Sequence, residues 1–218
     1  MLMSFVLNQS LSQTGCSKLR VDFDRDGFVV IKNFLSPDEV GELVTQTEAC
    51  LDTIGYKVSI ESSSEKSFGG TKKNLQHVSR WFDQELRSGK PYQFVKNLLG
   101  TELKPATAAY FERIPGEQAG IEPHFDSIGH RNWGATIWIA LDSARISNGC
   151  LYYAAGSHRV EYPNEVGIED FDKSGDHATA IEIDPGDAAI HSSRTVHWSN
   201  PNQSLNRRRA ISFFYWSV

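Results

Sequence analysis

The chain has 218 residues, 39% hydrophobic and 11% aromatic, enough to bury a sizeable core without disulfides or a structural metal. Its net charge of −5 and pI near 5.8 offer no general attraction to nucleic acid or to an anionic membrane. The cysteines, Cys16, Cys50 and Cys150, are odd in number and form no C-x-x-C pair. That spacing argues against a disulfide framework or a zinc knuckle and suits free thiols in a reducing cytoplasm.

The opening MLMSFVLNQSLSQTG has no basic leader and no long apolar core, so residues 1–20 read as a loose arm on a single domain covering 1–218. No stretch has the length needed to cross a bilayer, and a cytoplasmic protein is expected. Residues 28–31, apolar and preceded by Gly27, form a strand candidate. Ser36-Pro37-Asp38-Glu39 then starts a helix: Ser36 caps, Pro37 fits the first turn, and Glu39 reaches back to the Ser36 amide. Val40, Leu43, Val44 and Leu51 give that helix an apolar face.

Residues 59–74, rich in Ser with a Gly-Gly pair, read as a mobile loop and a candidate lid. Helices are predicted over 75–86 and 92–99, the latter ended by Gly100. Beyond that the texture changes to short β-branched, aromatic or alternating runs at 106–113, 135–141, 150–154, 178–183, 188–191 and 209–216. The expected fold is mainly β with a helical N-terminal part: a double-sheet jelly roll buttressed by helices. There is no internal repeat and no linker.

Within this frame, His124-Phe125-Asp126 places two metal-binding side chains one residue apart. At this His and Asp content, about 0.4 such triplets arise by chance, so the motif alone decides nothing. Along an extended strand, residues two apart share a face, so both side chains can reach one ion and Phe125 turns away. A histidine from a distant strand, His191 or His197, completes two imidazoles and a carboxylate on one side of a metal. Such a facial set leaves open positions and suits Fe(II) in oxygenases. Arg207, Arg208 and Arg209 open the final strand, and a guanidinium there can hold a carboxylate bidentately.

The ordered pattern H-x-D, NGxLxxxxGSH, GD, H-x-S-x-x-N and R-x-x-x-S, with the opening DGFVVIKNFLSPDEV, resembles the phytanoyl-CoA dioxygenase-like family of Fe(II)/2-oxoglutarate-dependent oxygenases from about Asp24 to Phe214. The resemblance implies a double-stranded β-helix core, Fe(II), 2-oxoglutarate as cosubstrate and O2. It implies His124, Asp126 and His197 as iron ligands, His191 being a buried, hydrogen-bonded neighbour. It places Arg208, eleven residues past His197, on the far carboxylate of 2-oxoglutarate, assisted by Ser199. By period 2, Arg207 and Arg209 fall on the opposite face. Trp138 is a candidate wall of the cosubstrate pocket or a core residue, and His130 and Trp133 are candidate substrate contacts. Tyr110 and Arg113 are undecided, and His158 is expected to secure a turn.

The implied activity is oxidation of a small metabolite or natural-product intermediate with release of succinate and CO2. An intact Asp126 favours hydroxylation over halogenation, since halogenating relatives lack that carboxylate, with desaturation or cyclisation left open. Two rival readings are a cupin-like metal-binding jelly roll without 2-oxoglutarate, which leaves Arg208 without a task, and a non-catalytic binding module. No G-x-S-x-G elbow supports a hydrolase.

Overall fold

The computed structural model describes residues 4–6, 13–59, 70–128, 132–163, 168 and 170–218. Helix α1 (Gln13–Asp26) leads into β2 (Phe28–Lys32), which pairs in parallel with the short β1 (Ser4–Val6). The expected loose arm is thus helical from Gln13. Leu19 and Phe23, four apart, are buried, so docking on the core stabilises a segment whose composition alone is too polar to predict a helix. Helix α2 (Pro37–Thr53) starts at the expected capping box: Glu39 N–H donates to Ser36 Oγ, and Ser36 N–H donates to Glu39 Oε2 at 2.7 Å.

Most of the predicted loop over 59–74 lies outside the described residues, but its end is a strand, β3 (Thr71–Lys73). Its backbone pairs with the edge of β4 (Leu103–Arg113), and edge pairing outweighs the polar composition that read as loop. The helix expected over 75–86 divides into a 3-10 turn, Leu75–His77, and α3 (Arg80–Ser88). Helix α4 (Lys90–Leu99) ends at Gly100 in the left-handed region (φ 64°), where a side chain is disfavoured.

The remaining strands are β5 (Ile121–His124), β6 (Gly134–Ala140), β7 (Leu151–Ala154), β8 (Ala178–Ile181), β9 (Ala188–Ser192), β10 (His197–Ser199) and β11 (Arg208–Ser217). They form two sheets, ordered β1-β2-β9-β6-β11-β4-β3 and β5-β10-β7-β8. All pairings except β1–β2 are antiparallel. This is the jelly roll expected from the strand pattern.

Period-2 alternation divides the large sheet between two cores. Val29, Ile31, Ile137, Ile139, Ile190, Ile211 and Phe213 face the helices and meet Leu43, Phe82, Val95 and Leu98. Their neighbours Phe28, Val30, Trp138, Ala140, Ala189 and Ala210 face the small sheet and meet Cys150, Leu151, Tyr153 and Ile181. Cys50 and Cys150 are buried free thiols, and burial pushes Cys150 up to about 11. Among the described residues, no helix is long and apolar enough to cross a membrane.

Candidate metal and cosubstrate site

A cavity of about 300 Å³ opens between the sheets. His124 ends β5 and His197 begins β10, and the two are register partners across an antiparallel pair, with ring centroids 4.2 Å apart. Asp126 lies two residues past His124, beyond the end of the strand, so a turn rather than an extended strand delivers it. His124, Asp126 and His197 nevertheless offer ligand atoms that all lie within 4.8 Å of one another. Phe125 packs toward Tyr162, away from this group.

The hydrogen bonds prepare the three side chains for a cation. His124 Nδ1 lies 2.8 Å from the Glu122 carbonyl, and His197 Nδ1 lies 3.0 Å from the Thr195 carbonyl. A carbonyl only accepts, so each Nδ1 carries the proton and each Nε2 keeps its lone pair for the site. Burial holds both imidazoles below their ordinary range, and the neighbouring imidazoles add to the effect at His197. Burial alone would raise Asp126, but His197 and the hydrogen bond from His191 outweigh it and hold the carboxyl well below the usual carboxylate range. Two neutral imidazoles and an ionised carboxylate, clustered on one side, form the donor set that an open divalent-metal site requires.

His191 takes a different place. Its Nε2 lies 3.1 Å from Asp126 Oδ2 and its Nδ1 lies 2.9 Å from the Tyr153 hydroxyl, which makes it the buried, hydrogen-bonded neighbour that was expected. Thr136, not singled out from the sequence, donates its hydroxyl to the same Oδ2 at 2.6 Å.

The other end of the cavity is cationic. Arg208 is 2% exposed and Arg207 is exposed beside Glu112. Arg209 is gripped by both oxygens of Asp142. Alternation along β11 therefore separates the three arginines as expected. The Arg208 Nη2 donates to the Gly149 carbonyl at 2.6 Å, and its guanidinium lies 5.2 Å from the Trp138 ring centroid. Burial pushes Arg208 down to about 9, which still leaves it charged near neutral pH. Arg208 Nε and Trp138 Nε1 are both buried without a hydrogen-bond partner among the described residues, and both residues line the cavity. Orphaned donors around a buried cation fit an anionic guest with oxygen acceptors.

Arg113, left undecided by its sequence context, is buried, lines the same end and is the register partner of Arg208. Its carboxylate partner is Glu117, 3.4 Å away and also buried. Glu117 offsets part of the positive charge of both guanidiniums. Ser199 is buried on β10, and its hydroxyl accepts from the Ile121 amide at 3.4 Å, which leaves its proton for an acceptor. Trp133 is exposed, and its carbonyl accepts from Ser217 N–H, next to the cavity-lining Trp216. His130 lies outside the described residues. His158 secures a turn as expected, its Nε2 lying 3.2 Å from the Asp24 carbonyl. Ser212, Phe214 and Trp216 also line the cavity, and two-residue steps from Arg208 along β11 would have found them.

Dioxygenase lolE1 of Epichloe uncinata is 27% identical over 148 residues, 65% of this chain and 57% of that protein, so the match spans little more than half of that relative. A probable alpha-ketoglutarate-dependent hypophosphite dioxygenase of Stutzerimonas stutzeri is 27% identical over 87% of this chain and 74% of its own. In fold, the chain resembles EvdO2 of Micromonospora carbonacea var. aurantiaca in its complex with 2-oxoglutarate. The TM-score is 0.78 at 20% identity, covering 97% of this chain and 93% of that one. It also resembles the carbocyclase SnoK from nogalamycin biosynthesis, with a TM-score of 0.77 at 21% identity over 95% and 84% of the two chains. The family model for phytanoyl-CoA dioxygenase (PhyH) matches residues 23–210, and the protein belongs to that family of Fe(II)- and 2-oxoglutarate-dependent, O2-using oxygenases.

Proposed function

We propose that residues 1–218 act as one oxygenase domain that hydroxylates a small metabolite. The observation that carries this reading is the joint placement, in one cavity, of the His124–Asp126–His197 cluster and the buried Arg208. His124 and His197, through Nε2, and Asp126 would hold Fe(II). Arg208 takes the distal carboxylate of 2-oxoglutarate with its planar fork, Ser199 adds a hydroxyl, and Trp138 walls the pocket. When iron and cosubstrate are bound, they supply the oxidising power, with O2 consumed and 2-oxoglutarate converted to succinate and CO2.

The protein's own share is orientation and exclusion. Apolar packing of Trp138 and Leu151 about the arginine end keeps that charge pair dry, which strengthens it. Phe214 and Trp216 give the cavity an aromatic wall, and Trp133 and His130 are proposed as substrate contacts. Asp126 occupies the position where a halide would need space, so substrate oxidation by hydroxylation is favoured over halogen transfer. A cupin-like site without 2-oxoglutarate, or a passive binding module, gives no reason for the orphaned donors of Arg208 and Trp138.

Anaerobic reconstitution with Fe(II) followed by 2-oxoglutarate tests the reading. The expected result is a weak visible charge-transfer band and, on admission of air, succinate release. Folded protein that takes up Fe(II) but shows neither would overturn it. Mass analysis of a turned-over substrate should show the gain of one oxygen atom; loss of two hydrogens or ring closure would replace hydroxylation with another oxidation.

A further inference from the structure

A buried file of hydrogen bonds stands beside the proposed ligands. Tyr153 on β7 reaches His191 on β9, and His191 reaches Asp126; Thr136 on β6, the register partner of His191, reaches Asp126 as well. The protons along this file are fixed by chemistry, through the hydrogen-bond network. An ionised carboxylate only accepts, so the 3.1 Å contact with Asp126 Oδ2 requires a proton on His191 Nε2. In the neutral imidazole Nδ1 is then the acceptor, and the Tyr153 hydroxyl donates across the 2.9 Å contact. Burial raises the phenol well above its ordinary range, so it keeps that proton.

Two consequences follow. Asp126 Oδ2 receives both the Thr136 hydroxyl and the His191 N–H, whereas Oδ1 is the oxygen turned toward His197 Nε2, 3.7 Å away. His191, whose ring centroid is only 4.5 Å from that of His197, carries its proton where a metal would need a lone pair. We infer that Tyr153, His191 and Thr136 form a positioning device that presents Asp126 as a one-oxygen ligand and keeps His191 from becoming a fourth protein ligand. An ion held by these three side chains would keep positions free for the cosubstrate and O2. The inference rests on the reading that His124, Asp126 and His197 hold the metal.

Co(II) titration of the apoprotein, read by affinity and by the ligand-field spectrum, tests it without turnover. His191→Leu should weaken Co(II) binding about 10- to 100-fold and change the spectrum. His191→Gln, whose amide can still donate to Asp126, should stay within about threefold of the native affinity with a native spectrum. Tyr153→Phe should alter the spectrum by removing the contact that anchors the His191 ring on its Nδ1 side. If His191→Leu does not fold, Thr136→Val against Thr136→Ser carries the same comparison, with loss expected only for Val.

A folded His191→Leu that binds Co(II) with native affinity and spectrum overturns the device. His191→Gln losing the metal as completely as His197→Ala also overturns it, because His191 would then be a ligand. Failure of the native protein to bind Co(II) at all, or indifference to His197→Ala, overturns the metal-site reading beneath it. The two failures are therefore distinguishable.

Discussion

Arg208 shows how one residue can be both a cost and a requirement. Its guanidinium is buried and shares its end of the cavity with Arg113; among the described residues it meets the Gly149 carbonyl and the Trp138 ring, and Glu117 offsets it only in part. A buried cation so weakly compensated is unfavourable until an anion arrives. Arg208→Ala should therefore raise the 2-oxoglutarate requirement on the order of 100-fold, the cost of losing one side of a buried charged pair. Metal affinity should change little, because no proposed ligand touches Arg208. Arg208→Lys should recover part of the loss, since an ammonium supplies the charge without the planar fork. Titration of 2-oxoglutarate into the metal-loaded variants checks all three statements.

At the scale of elements, the connection from β10 to β11 decides where Arg208 points. Asn202, 1% exposed, organises it. Its amide N–H donates to Glu117 Oε1 at 3.0 Å, its Nδ2 donates to the carbonyls of Arg113 and Asn206, and its Oδ1 accepts from Ser204. The connection is thereby tied to the end of β4 and to the carboxylate that offsets the two guanidiniums. Burial pushes Glu117 up and Arg113 down, so the desolvation of this ion pair is only partly repaid by attraction. Glu117→Leu would leave both guanidiniums buried without that carboxylate, costing about 3–5 kcal/mol. In a protein of this size the midpoint of thermal unfolding should fall by roughly 10 °C. The exposed cap of α2 is a smaller lever: Ser36→Ala should cost about 1 kcal/mol and a few degrees. Calorimetry on the two variants compares these expectations.

For the whole molecule, the site makes the stability of the apoprotein depend on pH. His124 and His197 are held below their ordinary range by burial, so the unfolded chain takes up protons that the folded chain refuses once pH falls below about 6.5. Stability is then expected to decline from pH 7 toward pH 5, by up to about 1.4 kcal/mol per pH unit for each imidazole. Asp126 has the opposite charge but the same direction of effect. Its carboxyl sits below the usual range in the folded state, so its contribution is fully present above the ordinary carboxylate range and is lost progressively as pH falls from that range toward the lowered folded value. Bound metal should steepen the decline, since protons then compete with the ion for the same nitrogens. Thermal unfolding between pH 8 and pH 5, with and without Co(II), measures both slopes. A flat apoprotein curve would mean that the imidazoles are not held neutral by burial.

What was legible in the sequence was whatever local physics and strand periodicity control. The capping box started α2, Gly100 stopped α4, and the alternation along β11 separated Arg208 from Arg207 and Arg209. The spacing of His124 and Asp126 marked two donors as near neighbours, although a turn rather than the expected extended strand brings them to one point. Other features depend on partners far along the chain, and no local pattern carries them. Helix α1 exists because Leu19 and Phe23 find a core, and β3 exists because β4 leaves an edge unpaired. Arg113 and Glu117 become a pair only when the end of β4 meets the connection into β11. The two histidines six residues apart illustrate the division most clearly. Residue type alone makes His191 and His197 equivalent, and family spacing favoured His197. Antiparallel register brings His197 opposite His124, while Tyr153 and Asp126 occupy both ring nitrogens of His191. The sequence determined which donors the protein owns, and the tertiary structure decided which of them face the same point, because register and packing bring together residues that no local spacing relates.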